Sequence, residues 1–187
     1  MCLTGLMSTW VAVSPALGAP ATPFIPHMTP RPQTTPDPAA HAAIAAAAQA
    51  LADQTRAALL ADDHATKMLG MQIVSVTPGT AVIQMVVRQE MLNGHAICHG
   101  GLIATLADST FAFACNSHNE VTLASGFSID FLAPGRLGDV LTATCTEQSK
   151  TGRTGLYDTL VVNQRGERIA LFRGRSYTLR GKPVVPV

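Results

Sequence analysis

Asp108 stands in surroundings that ordinarily exclude charge. It lies mid-segment between Ala107 and Ser109, in a stretch (Leu102–Cys115) that is apolar almost all round, with Ile103, Leu106, Phe111 and Phe113 among its members. A helix without a polar face is a buried helix. An ionised carboxylate there costs several kcal/mol unless it is paired or reaches a wet cleft. No Lys or Arg lies within a helical turn of it. The plain reading is an aspartate on a minor exposed stripe with Ser109 and Thr110, or one that caps a loop. The chemical reading is a carboxylate whose apolar cleft makes it a general base or nucleophile.

His99, Gly100 and Gly101 come just before this helix. The first N–H groups of a helix have no internal partner and sit at the positive end of its dipole. They can hold a carbonyl oxygen that becomes an oxyanion, and glycine lets a substrate approach the backbone closely. A tight loop explains the same three residues without chemistry. Eight residues separate Gly100 from Asp108, about 12 Å along a helix at ~1.5 Å per residue. Donor and attacking group must each lie about 3 Å from one carbonyl, so one helix cannot serve both ends of one substrate. Two antiparallel copies can, which places the expected site at a two-fold interface. Cys98 beside His99 is not read as a nucleophile–base pair, because adjacent side chains rarely face each other. No His/Cys/Asp cluster has metal-ligand spacing, and no phosphate-loop or dinucleotide glycine motif is present.

The elements that must position these residues follow from patterning. Ala39–Asp62 is rich in Ala, Leu and Gln and predicts a helix. Met71–Val76 and Ala81–Val87 predict a hairpin around Pro78–Gly79. The loop from Met91 to Gly101 leads into the buried helix. Val121–Phe131, Asp139–Glu147, Leu156–Asn163 and Arg168–Leu179 then predict four strands with short connectors, as antiparallel neighbours allow. The fold class is therefore α+β: a curved antiparallel sheet wrapped around a central buried helix.

The chain of 187 residues has room for one core, and 13 % charged residues with a net charge of +1 give no field for nucleic acid or an anionic membrane. No apolar run is long enough to span a bilayer. Cys2, Cys98, Cys115 and Cys145 form no Cys-x-x-Cys pair, and the expected compartment is the reducing cytoplasm. Residues 1–40 hold eight of the 12 prolines. They read as a disordered tail, or as sequence upstream of a true start at Met28. The stretch Leu3–Ala19 lacks the basic region of a secretory leader. Residues 41–180 form the expected domain and 181–187 a C-terminal tail.

The blocks Asn93-Gly-His-Ala-Ile-Cys-His-Gly-Gly-Leu-Ile-Ala-Thr-Leu-Ala-Asp108, Ile129-Asp-Phe-Leu-Ala-Pro134, Gly138-Asp139, Gly152-Arg-Thr-Gly-Leu-Tyr-Asp158 and Phe172-Arg-Gly-Arg-Ser176 resemble the phenylacetate-degradation (PaaI-type) thioesterases of the hotdog superfamily. The resemblance covers about residues 41–180. It implies a hotdog fold and an acyl-CoA thioesterase acting on hydroxyphenylacetyl-CoA or related aryl or medium-chain acyl-CoA, in phenylacetate degradation or CoA salvage. It implies a homotetramer built from dimers, with no metal and no cofactor. It places the catalytic acid on Asp108, the oxyanion glycine on Gly100 after His99, and a loop amide on Asn93. Gly101 belongs with the substrate-binding helix start, and Lys150, Arg153, Arg173 and Arg175 are candidates for the CoA phosphates. Relatives often carry a hydroxyl one turn beyond the acid, where this chain has Ala112. Two other classes compete: a hotdog 3-hydroxyacyl thioester dehydratase or hydratase, and a non-catalytic acyl-CoA-binding protein.

Overall fold

Helix α1 (Pro38–Asp62) opens on a proline, whose missing N–H is one that a helix start does not use. Asp37 caps it by accepting from the Ala39 N–H at 3.0 Å. The computed structural model describes residues 37–186. The Pro-rich segment and the alternative start at Met28 lie outside the described residues, except that residues 38–40 are already helical. A short helix that patterning does not announce, α2 (His64–Met68), follows at once. Asp63 starts it, accepting from the Thr66 N–H at 2.9 Å and from Thr66 Oγ1 at 2.6 Å.

Strands β1 (Gln72–Thr77) and β2 (Thr80–Val86) form the expected hairpin. After helix α3 (Gly100–Asn116) come β3 (Thr122–Phe131), β4 (Val140–Thr151), β5 (Thr154–Val162) and β6 (Arg168–Thr178). All six strands make one antiparallel sheet in the order β1-β2-β4-β5-β6-β3. β3 is thus an edge strand, although its sequence neighbours are α3 and β4.

The sheet curves around α3, which meets every strand. Alternation sets the inner face: Leu141, Ala143 and Cys145 on β4, Tyr157 and Val161 on β5, and Phe172 on β6 are all buried. Phe111 of α3 lies against Tyr157 and Phe172 with ring centroids 5.3 and 6.0 Å away. Gly174 makes room for it, since a Cβ there would sit 3.0 Å from the Phe111 ring. The expected α+β hotdog architecture is the observed one.

Several boundaries differ from the sequence reading by one to four residues, and three of the differences have a local cause. Helix α3 begins at Gly100 rather than Leu102, because His99 caps it. β4 continues past Glu147 to Thr151, a register shift between Glu147 and Ser149 keeping it paired with β5. Asp139 is not a strand residue but a buried tie. It accepts from the Arg136 N–H, Gln164 Nε2 and Arg165 Nη1, each at 2.9 Å. Burial pushes this carboxyl upward, but the bonds from Arg136, Arg165 and Gln164 outweigh that and hold it below the ordinary range. Residues 181–186, read as a tail, bond back to the body: Val121 donates to Lys182 O at 2.8 Å, and Val185 to Asn119 Oδ1 at 2.8 Å. Among the described residues no helix is long and apolar enough to cross a membrane.

Candidate active site

The start of α3 sorts its own donors. His99 Nδ1 accepts from the Gly101 N–H at 3.1 Å. A ring nitrogen that accepts carries no proton, so this bond uses the neutral ring with its proton on Nε2. The His99 carbonyl takes the N–H groups of Leu102 at 2.9 Å and Ile103 at 3.4 Å. Among the described residues nothing accepts from the Gly100 N–H. It is therefore the free donor at the positive end of the helix. Gly101 and His99 instead complete the cap, so the predicted pair divides: Gly100 is available to a ligand and the Gly101 N–H is not.

Asn93 stands beside this donor in a loop that its own side chain shapes. Its backbone N–H donates to Ile97 O at 2.8 Å, and its Oδ1 accepts from the His95 N–H at 2.9 Å. These bonds leave Asn93 Nδ2 without an acceptor among the described residues. A cleft of 490 Å³ joins Asn93, Gly100, Ile97, Ile103, Phe131 and the Leu132–Pro134 segment. Cys98 also lines it, but burial pushes its thiol up to about 11. It stays protonated at neutral pH and is no nucleophile.

Asp108 lies two turns further on. With Ala104, Thr105 and Ala112 it forms the partly open stripe of α3, opposite the buried Leu106 and Thr110. Its neighbour Ser109 is held by Thr66 Oγ1 of α2 at 3.4 Å. Asp108 Oδ1 is buried and has no hydrogen-bond partner. Burial raises the pKa of this carboxyl above its ordinary value, and no cation offsets the effect. Such a group binds a proton more readily than a surface aspartate, as a general base near neutral pH must.

The predicted basic residues are not gathered at the cleft. Lys150 Nζ pairs with Glu120 at 2.7 Å. Arg173 grips Asp158 through Nε and Nη2 at 2.6 and 2.8 Å, on the face of β6 that points away from α3. Arg153 donates to Tyr177 Oη at 2.9 Å. A larger hollow of 750 Å³ lies around the Asp158–Arg173 pair and includes Asp130, Thr144 and Leu171, but neither Gly100 nor Asp108 borders it. Among the described residues no three His, Cys, Asp or Glu side chains could hold a metal.

One cleft residue received no role from the sequence. Phe131 lies so close that a Cβ on Gly100 would stand 2.9 Å from its Cζ. The signal was present: alternation along β3 puts Phe127, Ile129 and Phe131 on the helix side, opposite Gly174, Phe172 and Ala170 of β6. Only the curvature of the sheet, which sequence does not display, brings that face over the start of α3.

Residues 95–170 match the thioesterase superfamily. The chain is 46 % identical over 128 residues to the acyl-coenzyme A thioesterase PaaI of Escherichia coli, an alignment covering 68 % of this chain and 91 % of that protein. The solved structure of E. coli PaaI superposes with a TM-score of 0.70 at 45 % identity, covering 72 % of this chain and 97 % of the other. A Streptococcus mutans protein solved with acetyl-CoA bound gives a TM-score of 0.57 at 26 % identity, covering 58 % and 88 %.

Proposed function

The chain belongs to the PaaI-type acyl-CoA thioesterases of the thioesterase superfamily and is itself an acyl-CoA thioesterase, and from that premise we propose how its own residues do the work and on what. The Gly100 N–H holds the thioester carbonyl and stabilises the oxyanion that forms on it. Asp108 either activates water or attacks the carbonyl carbon directly. Asn93 Nδ2 orients the water or the thioester. The products are the free acid and CoA. The substrate is hydroxyphenylacetyl-CoA or a related aryl or medium-chain acyl-CoA. Cys98, Cys115 and Cys145 are free thiols, in keeping with work in a reducing cytoplasm.

The observation that carries this reading is the unpartnered, buried Oδ1 of Asp108 on the very helix whose first N–H is free. A hydratase would pair its acid with a histidine, and Asp108 bonds to none. The two groups lie about 12 Å apart along one helix, so the working site takes Gly100 from one chain and Asp108 from its two-fold mate. β3 supports that pairing. It is a 10-residue edge strand carrying exposed Leu123, Phe127 and Phe131, the kind of edge that invites another chain. Two such pairs would make the tetramer.

The test is release of free thiol from a panel of acyl-CoAs. Asp108→Asn keeps the side chain's shape, and its turnover should fall at least ~100-fold, the scale of a general-base contribution, with the oligomer intact. Parental turnover by the folded variant would remove Asp108 from the mechanism.

A further inference from the structure

Three successive N–H groups lead into helix α3, and they have different fates. That of Cys98 donates to Gly135 O at 2.8 Å, and that of His99 to Met91 O at 2.9 Å. The third, on Gly100, meets no acceptor among the described residues. Peptide units are planar, so two fixed amides in a row leave the chain little freedom to turn the next. The direction of the Gly100 N–H therefore depends on what holds Cys98 and His99.

Gly135 lies in the loop between β3 and β4, and it shares a peptide unit with Arg136. The carbonyl of that unit accepts from Cys98, while its N–H donates to Asp139 Oδ2 at 2.9 Å. One planar amide is thus held at both ends, and each bond polarises the other. Contact here is close: a Cβ on Gly135 would stand 3.3 Å from Cys98 Cβ and 3.7 Å from Ile103 Cδ1.

Asp139 is itself fixed from the far side. Its Oδ1 accepts from Gln164 Nε2 and Arg165 Nη1, each at 2.9 Å, on the turn between β5 and β6. Its backbone completes the frame, donating to Arg136 O at 2.9 Å and accepting from the Val87 N–H at 2.8 Å. Asp139 is only 3 % exposed, and no part of it borders the cleft. A buried carboxylate on a loop amide is often no more than a tie. This one differs in where the tied amide ends, which is two residues before the free donor.

We propose that Asp139 is a positioning residue for the thioesterase reaction: through the Gly135–Arg136 peptide and Cys98 it sets the direction of the Gly100 N–H. That role rests on the Gly100 N–H being the oxyanion donor. Such a donor works by being aimed at the oxyanion before it forms, and a displacement of about 1 Å costs on the order of 100-fold in rate.

The experiment uses the full chain, with phenylacetyl-CoA as the probe and Tm measured for every variant. Asp139→Ala should lower kcat by about 10- to 100-fold. KM should stay near the parental value, because the oxyanion contact is made in the transition state. Asp139→Asn, whose amide oxygen still accepts from the Arg136 N–H, should recover most of the loss. Arg165→Ala removes a bond on the far side only, so it should lower Tm while kcat stays near the parent's. Hydrogen exchange over residues 98–103 reads the helix start without catalysis. It should quicken in Asp139→Ala and not in Arg165→Ala. If Asp139→Ala fails to fold, Asp139→Ser, whose hydroxyl is one bond shorter, takes its place. Losses of kcat that merely follow Tm, equal in the Asp139 and Arg165 variants, would reduce Asp139 to a stabilising tie and overturn the proposal. Parental exchange over 98–103 would overturn it whatever the activity. Faster exchange with parental kcat would overturn it too, and Gly100→Val assayed alongside separates the causes: normal hydrolysis by that variant would show that the oxyanion reading failed first.

Discussion

Removing the charge of Asp108 should make the protein more stable as it kills the enzyme. The carboxylate is half-buried, one oxygen is sealed without a partner, and burial raises its pKa above the ordinary value near 3.8. A raised folded-state pKa means that the folded chain binds the proton more tightly than the unfolded one. The resulting penalty is absent below the unfolded pKa. It grows as pH climbs to the raised folded value and is complete above it. Asp108→Asn removes the charge but still buries an amide, and the side chain is partly open to water, so only part of a buried-group penalty is recovered. About 1 kcal/mol is reasonable at neutral pH, which for a chain of this size is a rise in Tm of about 2–4 °C. Calorimetry at fixed protein concentration, run from neutral pH down through the ordinary carboxylate range, checks it. The gain should be full above the raised folded pKa and disappear as pH falls below the unfolded value. A lower Tm for the variant at neutral pH would show that the carboxylate is paired in the assembled protein, and its selection as the catalytic base on grounds of isolation would fail.

Two further outcomes follow from the same geometry. Gly100→Val should lower kcat/KM by about 100- to 1000-fold, the scale of a lost oxyanion donor, because its Cβ would stand 2.9 Å from the Phe131 ring and drive it or the helix start aside; parental kinetics would place the oxyanion donor elsewhere. Asp108→Asn and Gly100→Val, each inactive alone, should recover roughly a quarter of parental activity when refolded together, since two-fold pairing leaves one intact site in each mixed dimer and random assortment makes half the dimers mixed; mixed dimers confirmed by a tagged subunit but lacking activity would put both residues in the same chain's site.

Patterning made much of this fold legible because the relevant signals are local. The apolar run around Asp108 announced a buried helix, and the alternation of Leu141, Ala143 and Cys145 with threonines announced a strand with one face inward. The spacing of Gly100 and Asp108 underlies the proposal that one chain does not complete a site. What patterning missed depends on contacts between distant segments. Helix α2 is only five residues long and exists because Asp63 caps it. The division of labour between Gly100 and Gly101 depends on the rotamer of His99, which turns Nδ1 back on the helix. The basic residues look interchangeable in sequence. Yet register sets Arg173 opposite Asp158, and Lys150 finds Glu120 at 2.7 Å. Strand order is likewise not written locally; it puts β3 at the edge, and the curvature of the sheet then brings Phe131 over the helix start.

These unmet needs fall in one region of the chain. Elsewhere the described residues satisfy themselves closely: Asn116 ties the end of α3 to Thr122 through both its amide atoms, and Tyr157 Oη donates to Glu147 at 2.7 Å. Among the described residues two buried side-chain atoms lack partners, Asp108 Oδ1 and Thr159 Oγ1, and the second lies beside the Cys145 thiol. The Gly100 N–H, the Asp108 carboxylate and the half-open rings of Phe127 and Phe131 all belong to α3 and to the adjoining edge strand. Exposed apolar side chains such as Ile44, Met68, Val74 and Val86 occur elsewhere as well, so the open rings alone mark nothing. The free N–H and the unpartnered carboxylate oxygen on one helix do, because a group that must bind a transition state cannot already be satisfied by its own fold.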